Sequence, residues 1–244
     1  MKKENSLIFY EEIKQRLKKI FDTQHIKFKE IAKLFFETYK KDGMIYIFGT
    51  GHSHMMAEEG HFRAGGFAPI CPILSSDLML HKSAVQSSVV ERTEGVSKML
   101  LKKYNICNND ILMIFSNSGV NQAPVEAAVY GKEICCTVIS VVSYEYSRVA
   151  PLSKIGKKLI EISDYYIDNC GPIGDALVKI ENQCNVSSFS TISGSFILNS
   201  ILSEVADLSK NEIPFPFYIS ANIPKSKNNN NFLFQKYKKR NPHL

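Results

Sequence analysis

The 244-residue sequence lacks an apolar run of the roughly 18 residues a membrane helix requires; its longest are pieces such as Ile111–Phe115 and Val138–Val142. Its first residues, Met1-Lys2-Lys3-Glu4-Asn5, lead into mixed polar and apolar sequence, so no secretory signal is expected. Six cysteines (Cys71, Cys107, Cys135, Cys136, Cys170, Cys184) form no C-x-x-C pair. That argues against a metal or disulfide framework and for small buried hydrophobes in a reducing cytoplasm. There is no internal repeat and no strong linker before Pro224. Hydrophobic residues make up 44% and charged residues 22%, an ordinary globular balance that excludes a disordered chain or a coiled-coil rod. The length suits one large domain with appendages.

Net charge is +6, but its placement matters more than its size. Lys225, Lys227, Lys236, Lys238, Lys239 and Arg240 equal the whole excess, and no acid follows Lys225. Residues 1–224 are therefore formally neutral. A nucleic-acid partner would rest on this short tail alone; its Asn228–Asn231 run reads instead as a solvated or partner-docking extension.

Along the chain, residues 6–41 carry apolar positions at three- and four-residue steps and read as one long helix or a helix pair, ended by Asp42-Gly43. Apolar strands are expected at Met44–Phe48, Ala68–Leu74, Ile111–Phe115, Glu133–Val142 and Tyr165–Asp168. Helices are expected at His54–Ala64, Val90–Tyr104, Gln122–Tyr130 and Ser188–Leu208. Ser75–Ser88 reads as an irregular loop and Phe215–Asn222 as a final extended piece. Apolar strands alternating with helices indicate an α/β fold, a three-layer sandwich around a five-stranded parallel sheet, with an N-terminal helical extension. The expected organisation is a helical segment over 1–42, a ligand-binding domain over 43–222 and a basic tail over 223–244. In such sheets ligands bind beyond the strands' carboxyl ends, where helices begin.

Two loops satisfy that requirement. Ser116-Asn117-Ser118-Gly119 follows Ile111–Phe115 and precedes a helix. Its hydroxyls, together with free N–H groups at a helix start, suit a phosphate. Gly119 permits close approach or positive φ. The plainer alternative is a helix cap. Gly49-Thr50-Gly51-His52-Ser53 occupies the first strand-to-helix junction. As a dinucleotide fingerprint it is broken, because His54 stands where the third glycine belongs, although an acid, Asp77, follows the second strand. It reads better as a second anion loop.

These loops, with Asn169-Cys170-Gly171-Pro172-Ile173-Gly174, resemble the sugar isomerase (SIS) domain family, which binds phosphosugars. The first loop is similar to that fold's opening G-x-G-x-S, which implies Ser53 as a ligand to sugar or phosphate, with Gly51 and His54 beside it. The second resembles the S-x-S-G phosphate loop, implying Ser116 and Ser118 as phosphate donors alongside Asn117, Gly119 and Asn121. Cys170–Gly174 and Ser187-Ser188-Phe189-Ser190-Thr191 resemble segments of the arabinose-5-phosphate isomerase branch. Over nearly its full length the chain resembles stand-alone bacterial SIS proteins, through stretches such as Phe48–His54, Ala57-Glu58-Glu59, Arg63–Gly66, Leu78–His81 and Asp168–Gly171. Flavodoxin-like topology and a homodimer are implied. The long helices and the tail are candidates to complete a partner's site.

Departures from the family pattern exist. Where several relatives have S-G-E-T or S-G-E-S, this chain has Ser118-Gly119-Val120-Asn121, so Asn121 must stand in for a hydroxyl. The synthase-like base falls near Ile173, which takes no proton. The zinc ligands of the phosphoheptose branch fall near Glu59 and Arg63, so no metal is expected, nor any cofactor. Aldose–ketose isomerisation needs a base and an acid. The candidates are Glu58, Glu59, Glu91, Asp175, His54, His61 and His81, of which Glu91, Glu59 and His81 are the leading ones. Val90–Gly95 resembles a stretch of N-acetylmuramic acid 6-phosphate etherases whose first Glu is the acid/base, which implies that role for Glu91. The plainer reading of Glu91 is a carboxylate at a helix start. For Glu59 it is an ion pair with Arg63, four residues on. His81 in its loop reads as a proton shuttle or a solvated histidine. The ligand class this implies is a sugar or amino-sugar phosphate, isomerised, merely sensed or, as in the etherases, cleaved, with no membrane partner.

Overall fold

A computed structural model describes residues 4–224 and 226–244. The expectations for Met1-Lys2-Lys3 and Lys225 lie outside the described residues. Five parallel strands, β1 (Ile45–Gly49), β2 (Ile70–Ile73), β3 (Ile111–Phe115), β4 (Thr137–Val142) and β5 (Tyr165–Asp168), form a sheet in the order β2-β1-β3-β4-β5. The register is continuous, with Ile45 opposite both Ile70 and Ile111. Strand residues alternate between two cores. Ile45, Ile47, Met113, Ile139 and Ile167 face one layer, while Tyr46, Phe48, Leu112, Ile114 and Val138 face the other. Burial on both sides is why the strands read as unbroken apolar runs.

The first layer holds α1 (Asn5–Lys40), α2 (Met55–Gly60) and α8 (Ser190–Leu208). α1 is one helix of 36 residues, about 54 Å long at 1.5 Å per residue. It buries Ile20, Gln24, Phe28, Ile31, Phe35 and Thr38, a stripe at helical spacing. Three α1 side chains contact β5 and its following loop: Arg16 Nη1 donates to the Cys170 carbonyl at 2.8 Å, Gln24 accepts from Asp168 N–H at 3.3 Å, and Lys27 donates to the Tyr166 carbonyl at 2.9 Å. Along α1 the partners descend β5, so the helix runs antiparallel to that strand and begins at the sheet's carboxyl end. Asp42, at φ +56°, turns the chain into β1.

The second layer holds α4 (Val96–Leu101), α5 (Gln122–Glu133), α7 (Leu159–Ile162) and α9 (Ser226–Tyr237). The elements α3 (Ala84–Val90), α6 (Tyr144–Val149) and a small antiparallel pair, β6 (Ala176–Val178) with β7 (Val186–Ser188), complete the described chain.

The expected Val90–Tyr104 helix opens only at Val96, and the stretch expected as the irregular loop Ser75–Ser88 carries most of another helix, α3. Ser83 caps α3 by accepting the Gln86 N–H, and Gly95 at φ +83° separates α3 from α4. Glu91 therefore ends a helix instead of opening one. α2 stops at Gly60, short of the expected Ala64, because His61 turns to extended backbone at ψ 129°, with Phe62 following at φ +43°. The tail is not a solvated extension. α9 buries Leu233 and Tyr237, and Asn230 bonds both the N–H and the carbonyl of Ile219, at 2.9 and 2.6 Å. Phe215–Asn222 contributes a single antiparallel bridge, Phe67 with Phe217. Of the six free cysteines only Cys71, Cys136 and Cys170 are buried; Cys107, Cys135 and Cys184 are exposed, against the expectation of uniform burial. Among the described residues no helix is long and apolar enough to cross a membrane.

Candidate functional site

In the order 2-1-3-4-5 the chain leaves β1 toward one edge of the sheet and returns to β3 on its other side. The loops after β1 and β3 therefore diverge, and a crevice opens at the strands' carboxyl ends. The two hydroxyl-bearing loops emerge at this place.

After β1, a Cβ at Gly49 would sit 2.4 Å from the Ser53 carbonyl oxygen, so only glycine admits the fold-back of the loop. Gly51 follows at φ +55°. After β3, the Ser116 hydroxyl accepts the Gly119 N–H at 3.2 Å, which closes the loop on itself. Gly119 at φ +64° lies against Val142 and Ser147. The first turn of α5 is less open than a helix start usually is. Ala123 N–H donates to the Glu91 carbonyl at 2.9 Å and Pro124 has no N–H, so donors for an anion must come mainly from the loop.

A narrow cleft of about 20 Å³ lies between the loops, with Ser53, Ser116 and Asn117 in its lining together with His52, Asn169 and Thr191. Ser118 and Asn121 line a neighbouring open groove of about 440 Å³, with Arg92, Gln122, Tyr146 and Lys154. The S-x-S-G loop thus forms the wall between two concavities, and the expected binding residues are divided between them.

The remaining candidates are placed as follows. Glu91, with a side chain 16% exposed, receives the Thr50 hydroxyl on Oε1 and lies 3.8 Å from Arg92. Its side chain and its carbonyl thus join the β1 loop to α5. Glu59 pairs with Arg63 and accepts from Ser195 at 3.3 Å and Asn199 at 3.0 Å, facing α8. His54 donates through Nδ1 to the Gly51 carbonyl, and its Nε2 lies 3.8 Å from Glu58. His81 is exposed. His61 is engaged by the C-terminus, through the His243 carbonyl at 3.3 Å. Asp175 caps α8, accepting the Ser190 N–H and hydroxyl, each at 2.7 Å.

Sequence reasoning passed over His52, Asn169 and Thr191 as lining residues, and Arg92 and Lys154 in the groove. Asn169 carried a signal, since it stands at the carboxyl end of an apolar strand. His52 carried one too, as a member of the first loop beside Ser53, whereas Thr191, Arg92 and Lys154 become neighbours of the crevice only through tertiary packing. Burial raises the Cys170 thiol beside Asn169 to about 11, so it is not a thiolate near neutrality.

A doubly wound sheet with hydroxyl loops at its switch point defines the class: residues 8–143 match the SIS domain family, and the chain belongs to it. Among curated proteins it is 40% identical over 237 residues to UPF0309 proteins of Brucella canis and Brucella melitensis, covering 97% of this chain and 97% of each relative. Among solved structures, a phosphoheptose isomerase from Francisella tularensis superposes with TM-score 0.52 at 13% identity, over 81% of this chain and 94% of that one. At that identity the likeness shows the shared fold.

Proposed function

We propose that this protein binds a phosphorylated sugar or amino sugar at the β1/β3 crevice and interconverts its aldose and ketose forms by proton transfer through an enediol. The observation that carries this reading is the facing pair of loops, with Ser53, Ser116 and Asn117 lining one cleft. Hydroxyls and loop N–H groups bind a phosphate dianion through several charge-assisted hydrogen bonds at once. In this reading Ser118, Gly119 and Asn121 complete the phosphate grip from the groove side, and Gly51 and His54 shape the opposite loop. Glu91 is the carboxylate we assign to proton transfer, because of the three leading candidates it is the one bonded to the β1 loop, through Thr50, and to the first turn of α5, through Ala123. None of the three lines either concavity, but Glu91 adjoins Arg92, which lines the groove.

The test is a panel of pentose, hexose, heptose and amino-sugar phosphates, followed by NMR for exchange of the C2 proton with deuterium. Glu91→Gln should lower exchange by about 10²-fold or more while leaving binding intact. Exchange that survives this change sinks the base assignment.

One observation favours a second reading, a phosphosugar sensor without turnover: among the described residues no carboxylate lines the cleft between the loops. Binding without exchange across the panel selects it. We further propose a cytoplasmic homodimer. Leu7, Tyr10 and Phe21 are exposed on one face of α1 and suit a helix–helix contact. A monomer by light scattering at micromolar concentration would refute the dimer.

A further inference from the structure

We infer that Asn169 is a positioning residue: it fixes which end of the Asn117 side-chain amide faces the cleft, so that Asn117 presents its NH2 group to an anionic oxygen. The inference rests on the phosphosugar reading and adds to it a residue that acts through another.

At one end of this chain of amides stands a group of fixed polarity. The Gly171 backbone N–H can only donate, and it lies 2.8 Å from Asn169 Oδ1. Asn169 must therefore turn its oxygen toward Gly171, which leaves Nδ2 as its other face. That Nδ2 lies 2.9 Å from Asn117 Oδ1. Because an NH2 group donates and cannot accept, Asn117 must in turn offer its oxygen. Its own NH2 is then directed away from Asn169, and no protein acceptor meets it among the described residues. A single backbone N–H thus orients two successive amides.

The surroundings hold this chain in place. Asn169 is 3% exposed and lines the cleft together with Asn117. A Cβ at Gly171 would stand 2.9 Å from Asn169 Oδ1 and 3.4 Å from Asn117 Oδ1, so both oxygens converge on a position that needs glycine. Ser143 ties the same loops by main chain and side chain: its N–H donates to the Asn117 carbonyl at 2.9 Å and its hydroxyl to the Gly171 carbonyl at 2.7 Å. Neither amide has room to turn over without breaking a buried bond.

The decisive comparison is Asn169→Asp against Asn169→Ala in the full chain. A carboxylate at 169 still accepts from Gly171 but offers a second acceptor to Asn117, which must then turn its NH2 inward and its oxygen to the cleft. Alanine only releases Asn117. Dissociation constants for arabinose 5-phosphate and inorganic phosphate should therefore rank wild type tightest, Ala weaker, and Asp weakest, by roughly tenfold or more relative to wild type. A purely packing role predicts that Ala, which leaves a void, loses more stability than the nearly isosteric Asp; because a carboxylate at 169 also repels an anion directly, the spectrum of the Asn117 amide separates positioning from charge. In ¹⁵N–¹H spectra the Asn117 NH2 signals should move on anion addition in wild type and stay fixed in Asn169→Asp. Should Asn169→Asp not fold, Asn117→Asp places the acceptor at the cleft directly and must give the same loss. Wild-type binding with Asp equal to or tighter than Ala, or undiminished in Asn117→Asp, overturns the amide chain alone. Wild-type failure to bind either anion overturns the phosphosugar reading as well.

Discussion

The two ends of the sheet treat their polar groups in opposite ways. At the amino end, Asp110 is fully buried and saturated: it accepts N–H bonds from Met44 and Cys107, each at 2.8 Å, and pairs with Arg240 at 2.6 Å. Asn241, also buried, donates to the Ile70 carbonyl at 3.2 Å, and His243 meets the Tyr104 hydroxyl at 2.9 Å. The last residues of the chain thus clamp the starts of β1, β2 and β3. At the carboxyl end, Ser53, Asn117 and Ser118 stand in concavities with donors to spare. Satisfied polar groups hold a fold together, while groups left open at a switch point are available to a ligand.

Mutations should separate the two ends cleanly. The largest expected effect is at the carboxyl end. Ser116→Ala/Ser118→Ala should weaken sugar-phosphate binding by about 10²-fold or more, with little change in thermal midpoint, since each bond to a charged group contributes about 1.5–3 kcal/mol. Calorimetric titration and a melting curve on the same sample check both halves, and unchanged affinity would sink the site. At the amino end the pattern should reverse. Arg240→Ala leaves the Asp110 carboxylate buried with only two N–H partners. Because Arg240 is itself partly exposed, a loss of about 2 kcal/mol is expected, below the full cost of breaking a buried pair. Chemical denaturation reads this, and ligand affinity should stay at the wild-type value.

A smaller effect is set by pH. Burial lowers the proton affinity of His61 and His243. His61 donates through Nε2 to the His243 carbonyl, and its Nδ1 faces the Asn241 amide at 3.5 Å, so the ring is held neutral. The unfolded chain protonates first, near the ordinary value of about 6.5. Stability from this contact is therefore complete above that pH and declines as pH falls through the lowered folded values. Melting curves between pH 7.5 and 5.5 should show a fall that His61→Asn/His243→Asn reduces; an unaltered slope would refute it. The smallest effect is chemical. Cys107, Cys135 and Cys184 should react rapidly with a thiol reagent in the native state, and Cys71, Cys136 and Cys170 only on unfolding, a count mass spectrometry supplies.

Much of the scaffold was legible. β3 and β5 match their expected spans, because strands buried on both faces carry a continuous apolar signal. The loop after β3 was legible as well, as a strand-to-helix junction of small hydroxyl residues ahead of a glycine. The break between α3 and α4 was hidden by an unbroken helical pattern that Gly95 interrupts. α9 was hidden for the opposite reason: an asparagine run is a poor helix former. It is helical because Leu233 and Tyr237 are buried and because Asn229 and Asn230 supply bonds to the extended segment at Phe217 and Ile219.

The amino-acid order alone determined the layered α/β architecture, the two glycine-bearing loops and the family, since these follow from periodicity and local backbone freedom. Only the tertiary structure decided that one phosphate-type loop divides two concavities, that Glu91 answers to Thr50, that Asn169 orients Asn117, and that the basic tail clasps its own sheet. Each of these depends on partners distant in sequence, from 41 residues apart for Thr50 and Glu91 to 52 for Asn117 and Asn169 and 130 for Asp110 and Arg240, and side-chain bonds of that kind carry no local pattern.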